Sequence, residues 1–178
     1  MRRIALTLVV LAAVTSIGRS ATASPAISLG YSWLKFLETD GGTAPVGGYF
    51  SIASSQTSFG FEADASYHRK KDEIIVLPPE GGDPVVSETF KLETFTASIG
   101  PRWGIPAGDV THYIHLLASL RHDRFEGLSG TVFGFMAGAG VDITGGGGAG
   151  LRLAGDFQMY WDSGETVKTL RLSAGFTF

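Results

Sequence analysis

The last 13 residues of the chain alternate between apolar and polar side chains. Every second residue from position 170 onward is apolar: Leu170, Leu172, Ala174, Phe176 and Phe178. The residues between them are polar or glycine. Alternate residues of a β-strand point to opposite sides, so this stretch predicts a strand with one apolar and one polar face. No other feature constrains the possible folds of this chain as strongly.

The same pattern recurs along the chain. Eight segments alternate in this way: 27–36, 46–53, 58–68, 90–102, 112–122, 131–141, 149–161 and 166–178. A tilted strand of about 9–11 residues crosses a bilayer. After the first residues, no stretch is apolar enough for a spanning helix, and a closed barrel is the other structure that satisfies its backbone in lipid. We therefore predict an all-β fold, an eight-stranded antiparallel up-and-down transmembrane β-barrel.

The N-terminus has the pattern of a secretory signal peptide. Met1-Arg2-Arg3 is basic, residues 4–14 are almost entirely apolar, and Ala21-Thr22-Ala23 is a small-x-small cleavage site. We assign residues 1–23 to a signal peptide and 24–178 to the barrel domain. The expected location is the outer membrane of a bacterial cell.

Composition excludes several kinds of site. The chain has no cysteine, which rules out disulfides and thiolate metal ligands. Without the predicted signal peptide, 11 Lys and Arg stand against 17 Asp and Glu, so a nucleic-acid surface is not expected. No cofactor and no metal ion are expected.

A soluble barrel or sandwich with the apolar face inward would show the same alternation. Three features favour lipid. Aromatic residues lie near the strand ends, where membrane proteins place aromatic belts: Tyr31, Trp33, Tyr67, Trp161 and Phe178. The polar face combines glycine with Arg, Asp and Glu, which suits a narrow interior of paired charges. Pro25 also follows the predicted cleavage site closely, which would leave almost no N-terminal tail before the first strand.

Short motifs resemble a known family. They are Gly30-Tyr31-Ser32, Gly100-Pro101-Arg102-Trp103, and residues 138–142 followed by Arg152 and Asp156. In this order they resemble the small eight-stranded outer-membrane β-barrels related to OmpA and OmpX. The resemblance implies a fold more than a function. It also implies that outer-membrane lipid and lipopolysaccharide surround the barrel, and that the barrel-assembly machinery recognises Phe178.

Charged residues on the polar face predict an ionic network in the lumen. Its expected members are Glu62, Asp64, Arg102, Arg121, Arg152, Asp156 and Arg171; His68 and His115 also face inward. A two-residue turn at Ser163-Gly164 would place Asp156 opposite Arg171. Asp142 and Arg152 are expected to pair diagonally. Eight strands leave little room inside, so the charges should plug the barrel, and an ion path is the alternative.

The histidines are candidates for catalysis, because some eight-stranded barrels modify lipid A. His112 and His115 are three residues apart and fall on opposite faces. No serine, histidine and acid converge in the sequence, so we expect His68, His112, His115 and His122 to have ordinary surface roles. We predict that the protein is not an enzyme; a lipid-modifying enzyme remains an alternative.

The segment 69–88 is charged and rich in proline and glycine, which predicts a long exposed loop. Its candidate interaction residues are Arg69, Lys70, Lys71, Ile74, Ile75, Val76 and Leu77. The apolar run could extend a hairpin above the membrane and present an edge to an extracellular partner. We therefore predict a monomeric barrel with a structural or cell-surface interaction role; a small-solute channel is the other alternative.

Overall fold

A computed structural model describes residues 25–37, 45–54, 58–76, 85–145, 148–162 and 164–178. The predicted signal peptide, residues 1–23, lies outside the described residues. Eight strands follow one another: β1 (Pro25–Phe36), β2 (Val46–Ser54), β3 (Phe59–Val76), β4 (Val85–Ala107), β5 (Val110–Phe125), β6 (Leu128–Thr144), β7 (Gly150–Asp162) and β8 (Glu165–Thr177).

The strands form one closed antiparallel barrel. Each strand pairs with its neighbours in sequence, and β1 pairs with β8, so that Gly30 faces Gly175 across the closing seam. Beyond this seam, Phe178 exchanges backbone hydrogen bonds with Ile27. Closure leaves the barrel wall without an unpaired edge. The predicted eight-stranded up-and-down topology is confirmed.

None of the described residues forms a helix long and apolar enough to cross a membrane.

The apolar face of the wall points outward. Phe61, Leu153 and Phe176 are about half exposed, at 52, 50 and 57% of their surfaces. The buried side chains of the described residues are mostly polar, and Arg152 is the largest of those that are fully buried. A soluble barrel has the opposite arrangement, because water drives apolar side chains inward. The soluble alternative is therefore wrong for this structure.

Several connections are shorter than the sequence indicated. The predicted strands 90–102 and 112–122 leave residues 103–111 as their connection, which narrows to Gly108-Asp109 in the structure. The connection at 123–130, between the predicted strands 112–122 and 131–141, narrows to Glu126-Gly127. Glu126 and Gly127 both have positive φ, 48° and 85°, as a two-residue hairpin turn requires. Pairing with the neighbouring strands extends β4, β5 and β6 through residues whose side chains do not alternate clearly.

The prediction of a loop over 69–88 is wrong for most of that segment. Residues 69–76 belong to β3 and pair with residues 85–93 of β4, with an irregularity in register between Ile74 and Ile75. The alternative, a hairpin extending from the wall, is the one observed. Leu77 lies outside the described residues. We call the barrel end that carries this hairpin the hairpin end, and the other the terminus end.

Inward glycines lie opposite inward tyrosines. The cross-strand neighbours are Gly30 and Tyr49, Tyr113 and Gly140, and Gly134 and Tyr160. A Cβ atom on Gly140 would overlap the Tyr113 ring, and one on Gly134 would overlap the Tyr160 ring. The missing side chain makes room for an aromatic ring to lie across the inner wall. Glycine thus allows an eight-stranded barrel to hold large inward side chains.

The substitution Gly140→Ala tests this packing. We expect the free energy of unfolding to fall by about 1–3 kcal/mol, because the new methyl group meets both the Tyr113 ring and the backbone oxygen of Leu153. Gly48→Ala is the control, since the nearest atom to its Cβ would be the Gly30 carbonyl oxygen at 3.5 Å. Urea unfolding in detergent micelles measures both; equal losses would contradict the packing account.

Candidate functional site

The predicted pair on the last hairpin is present. Asp156 of β7 lies opposite Arg171 of β8, and Arg171 Nη2 is 2.8 Å from Asp156 Oδ2. The same guanidinium donates through Nη1 to Asp64 Oδ1 at 2.6 Å, on β3. One arginine therefore joins two carboxylates from strands that are distant in the wall.

A second cluster surrounds Arg152. Its Nε donates to Asp142 Oδ1 at 2.7 Å, and its Nη1 donates to Glu62 Oε1 at 2.8 Å and to Ser51 Oγ at 2.7 Å. Asp142 and Arg152 are direct cross-strand neighbours, so the predicted diagonal placement was wrong although the pairing was right. Arg102 completes this cluster, with Nη2 2.5 Å from Asp142 Oδ2 and Nη1 3.5 Å from Glu62 Oε2.

His115 joins the two clusters. Its Nδ1 is 3.0 Å from Glu62 Oε2 and its Nε2 is 2.9 Å from Asp156 Oδ1. An ionised carboxylate only accepts hydrogen bonds, so two ionised partners require a hydrogen on both ring nitrogens of His115. In that state the network is balanced, with four carboxylates against three guanidinium groups and one imidazolium: Glu62, Asp64, Asp142 and Asp156 against Arg102, Arg152, Arg171 and His115.

The expectation of surface roles for the histidines fails at His68 and His115, which are both buried. A signal for His115 existed in the sequence. Alternation placed it on the inward face, and a two-residue turn at Gly108-Asp109 sets it opposite Arg102. The connection expected from the strand segments is longer, and a longer turn does not fix this register.

Arg121 does not belong to the network, contrary to the prediction. Its Nε pairs with Asp123, at 2.8 Å from Oδ2, and Thr94 donates to Asp123 Oδ1 at 2.7 Å. Its guanidinium carbon lies 4.9 Å from the centre of the Phe36 ring and 5.4 Å from that of Tyr160. Arg121 therefore forms a separate group nearer the hairpin end, while the other six predicted members join the network.

Tyr113 adds an aromatic surface to the ionic network. The guanidinium carbon of Arg102 lies 3.8 Å from the centre of its ring, and that of Arg152 lies 5.1 Å away. A ring face attracts cations and needs no hydrogen bond from them, so both arginines keep their donors for carboxylates. Tyr113 was not among the predicted site residues. Its position became evident only from the strand register, which pairs Tyr113 with Gly140 on β6.

The candidate interaction residues lie apart from the network. Arg69 forms a long ion pair with Glu93 at 3.9 Å, and Lys71 faces Lys91 directly across the hairpin. Ile74, Ile75 and Val76 continue β3 away from the wall. The structure thus brings six of the seven predicted lumen charges together and places the described surface candidates further along β3, toward the hairpin end.

Cations outside the lumen are confined to one end. Among the described residues, all of them lie at the hairpin end: Lys35, Arg69, Lys71, Lys91, Arg124 and Lys168. Carboxylates share this end, including Glu93 and Glu126. At the terminus end, the described exterior includes Asp109 and no lysine or arginine. The barrel is therefore electrostatically asymmetric along its axis.

One serine and one histidine are close together in the lumen. Ser32 Oγ is 2.7 Å from His68 Nε2, and both residues are fully buried. His68 Nδ1 has no hydrogen-bond partner within the described part of the chain. A serine nucleophile needs a histidine oriented by a third group, and no described acid orients His68. This pair therefore lacks the geometry of a catalytic triad.

No protein family matches the chain, and no curated protein matches it in sequence. Solved structures do match. Neisserial surface protein A is 16% identical, with a TM-score of 0.60 over 87% of this chain and 97% of its own. The attachment invasion locus protein of Yersinia pestis, solved with the heparin analogue sucrose octasulfate, is 17% identical, with a TM-score of 0.57 over 86 and 97%.

The outer membrane protein OprG from Pseudomonas aeruginosa is 10% identical, with a TM-score of 0.57 over 87% of this chain and 94% of its own. At these identities the comparisons show a shared fold. The chain therefore has the fold of the small eight-stranded outer-membrane β-barrels. This confirms the fold that the short sequence motifs implied.

The substitution Arg171→Met tests the network. We expect unfolding to become easier by about 3–5 kcal/mol, because Asp64 and Asp156 would remain buried without their guanidinium partner. Arg124→Met is the control, since its side chain is 64% exposed and its ion pair with Glu93 is 3.9 Å long. Its effect should stay within about 0.5 kcal/mol. Similar midpoints for both variants in urea would mean that the network contributes little stability.

Proposed function

We propose that this protein is an outer-membrane β-barrel with a structural and cell-surface interaction role, whose lumen is closed to solutes. The observation that carries the proposal is the pairing of an apolar outer wall with a charge-balanced, hydrogen-bonded interior. Lipid can solvate the outer wall, and the interior charges solvate one another. Export through a signal peptide at residues 1–23 remains part of the proposal.

The closed lumen rests on side chains that cross the interior. Arg152 reaches from β7 to Ser51 on β2 and Glu62 on β3, and Arg171 reaches from β8 to Asp64 on β3. Eight strands enclose just enough space for side chains. Moving an ion through this space would require breaking several buried ion pairs at once. These contacts support a plug and oppose the small-solute channel.

Conductance in planar bilayers tests the plug. We expect the purified barrel to show no stable conducting steps, because Arg152 and Arg171 reach across the lumen to Glu62 and Asp64. The comparison is the double variant Arg152→Ser, Arg171→Ser, which removes both crossing side chains and should raise conductance. Heat-modifiable migration on a gel checks that this variant is a folded barrel. Regular open steps from the wild-type protein would instead establish the channel.

The surface role rests on the hairpin of β3 and β4. β2 pairs with β3 only as far as Arg69, and β5 pairs with β4 only from Leu92 onward. Within the part of the chain that the structure describes, no strand pairs with the outer backbone edges of residues 71–76 and 85–91. An unpaired edge is a template for an added strand, which supports an extracellular protein partner at this hairpin.

The cations of the hairpin end support a second contact, with lipopolysaccharide. Tyr67 and Phe95 are exposed on the outer wall and face each other, and Arg69 and Glu93 follow directly beyond them. Aromatic side chains sit at the boundary of the hydrocarbon region, so these charges reach the level of lipid phosphates. A monomer fits this role, since the closed wall needs no second copy. Recognition of Phe178 by the assembly machinery stays a prediction.

Cysteine labelling tests the orientation, because the chain has no cysteine of its own. Lys71→Cys should react with a membrane-impermeant maleimide on intact cells, since the hairpin end is expected to face outward. The control is Asp109→Cys, which lies in the exposed turn at the terminus end and should react only after lysis. The reverse labelling pattern would invert the topology, and labelling of both sites would remove the membrane location.

The enzyme alternative would rest on a serine–histidine pair inside the lumen. Ser32 and His68 form the one serine–histidine hydrogen bond among the described residues, and both face the closed lumen. A lipid substrate would have to enter a space that side chains fill. An altered lipid A mass on expression of the protein, lost in His68→Ala, would nevertheless establish the enzyme.

A further inference from the structure

Tyr31 carries the most exposed aromatic side chain among the described residues, at 74% of its surface. Its ring points outward from β1, and its direct neighbours on the adjacent strands are Gly48 and Ala174. A glycine and an alanine give the ring little lateral support, so it stands out from the wall. Its hydroxyl has no hydrogen-bond partner within the part of the chain that the structure describes.

The Tyr31 hydroxyl also lies far from both ends of the wall, although the sequence placed this residue near a strand end. Lys35, the next charged residue on the outward face of β1, is four residues toward the hairpin end. Ile27, whose backbone pairs with the C-terminal residue, is four residues toward the terminus end. Four residues of a strand tilted by about 40° rise by about 10 Å, which is more than a tyrosine side chain extends. Acyl chains accept no hydrogen bond, so lipid at this height would leave the hydroxyl unsatisfied.

Gly48 is an outward glycine that a single barrel does not require. The nearest atom to an added Cβ would be the Gly30 carbonyl oxygen at 3.5 Å, which is an ordinary contact, and Gly48 does not have a positive φ. A glycine inside a strand weakens it and often marks a place where another backbone approaches closely. Contacts between membrane proteins favour small residues for the same reason. Gly48 is therefore a recess in the outer wall, directly beside the protruding Tyr31 ring.

A second copy of the chain supplies what both residues lack. In a dimer with its two-fold axis parallel to the barrel axis, each copy meets the other at the same height. Tyr31 and Gly48 are direct cross-strand neighbours, so an axis that passes between them sets each tyrosine on the glycine of the other copy. A strand carbonyl has two lone pairs, and the sheet uses one of them. The Tyr31 hydroxyl can therefore donate to a carbonyl that the missing side chain of Gly48 leaves accessible.

The outer face around this pair is large enough for a dimer. It is apolar, and its exposed side chains are Leu29, Tyr31, Trp33, Val46, Phe50 and Leu172. Their exposed surface is on the order of 700 Å² per copy, and about 800 Å² per partner is typical of specific protein complexes. Lipid is as apolar as this face, so close packing and the hydrogen bond, rather than apolar area, would drive the association.

We propose that two complete barrels associate side by side in the membrane through the outer faces of β1 and β2, with Tyr31 of each copy seated on Gly48 of the other. Both hairpin ends then point to the same side of the membrane. The surface role proposed above needs only a monomer, so this association adds a lateral contact to it. The inference rests on the proposed membrane location, which the cysteine labelling tests separately.

Energy transfer between labelled barrels in liposomes tests the association. Donor and acceptor dyes on Lys71→Cys report proximity at the hairpin end, away from the contact. Transfer should stay above the random level on dilution with lipid. Tyr31→Ala and Gly48→Leu should each weaken the association at least tenfold, and Tyr31→Phe about threefold, the value of one hydrogen bond in a membrane.

Gly155→Leu is the matched control for Gly48→Leu. Gly155 also faces outward, and the nearest atom to its Cβ would likewise lie at 3.5 Å, but it belongs to β7 and lies outside the proposed contact. The control should associate like the wild type. Random transfer for the wild type, or equal effects of the two leucine variants, overturns the proposal and leaves the labelling pattern that tests the membrane location unaffected.

Photo-crosslinking in intact cells identifies the occupant of this face without changing Tyr31 or Gly48. With p-benzoylphenylalanine in place of Phe50, we expect an adduct of twice the mass of the chain. The same probe in place of Phe133 is the control, because Phe133 is also exposed but lies on β6, on the opposite side of the barrel. An adduct with a different protein, or with lipid alone, overturns the second copy as the occupant.

Discussion

The buried charge balance between four carboxylates and four cations is the interaction on which the barrel interior depends. A single charged side chain in this space would carry a desolvation penalty that one hydrogen bond does not offset. The structure avoids this penalty because each guanidinium contacts at least two carboxylates, and His115 connects the two clusters. The network therefore acts as one unit, and a change at one member leaves its partners uncompensated.

Geometry makes this network possible. Long arginine side chains need space, and an eight-stranded barrel has little. Inward glycines provide that space: Gly138 lies beneath Asp156 and His115, and Gly140 lies beneath Tyr113. The glycine-rich β6 is thus the part of the wall on which the side chains of other strands lie. The inward face is therefore informative in two ways: its charged residues form the network, and its glycines leave room for the side chains of other strands.

The two ends of the molecule differ in what they can contact. Among the described residues, the hairpin end carries the exterior lysines and arginines and the part of β3 and β4 that extends past β2 and β5, whereas the terminus end carries no exterior lysine or arginine. The proposed contacts with an extracellular partner and with lipopolysaccharide therefore lie at one end, and the apolar rest of the exterior suits lipid. This division follows from the unequal lengths of the strands, since β3 and β4 extend past both of their neighbours.

The sequence alone determined the number of strands, their order and the direction of each face. These follow from the alternation of apolar and polar side chains with a period of two residues. This alternation is a local property and does not depend on the residue at which each strand ends. It also determined the pair of Asp156 and Arg171, because a two-residue turn fixes their register. The extension of β3 and β4, the place of His115 and the separation of Arg121 were decided by the tertiary structure. His115 contacts Glu62 and Asp156, and Arg121 contacts Phe36, across the closed lumen, and no local pattern encodes such contacts. The extension of β3 and β4 depends instead on their pairing with each other beyond the ends of β2 and β5.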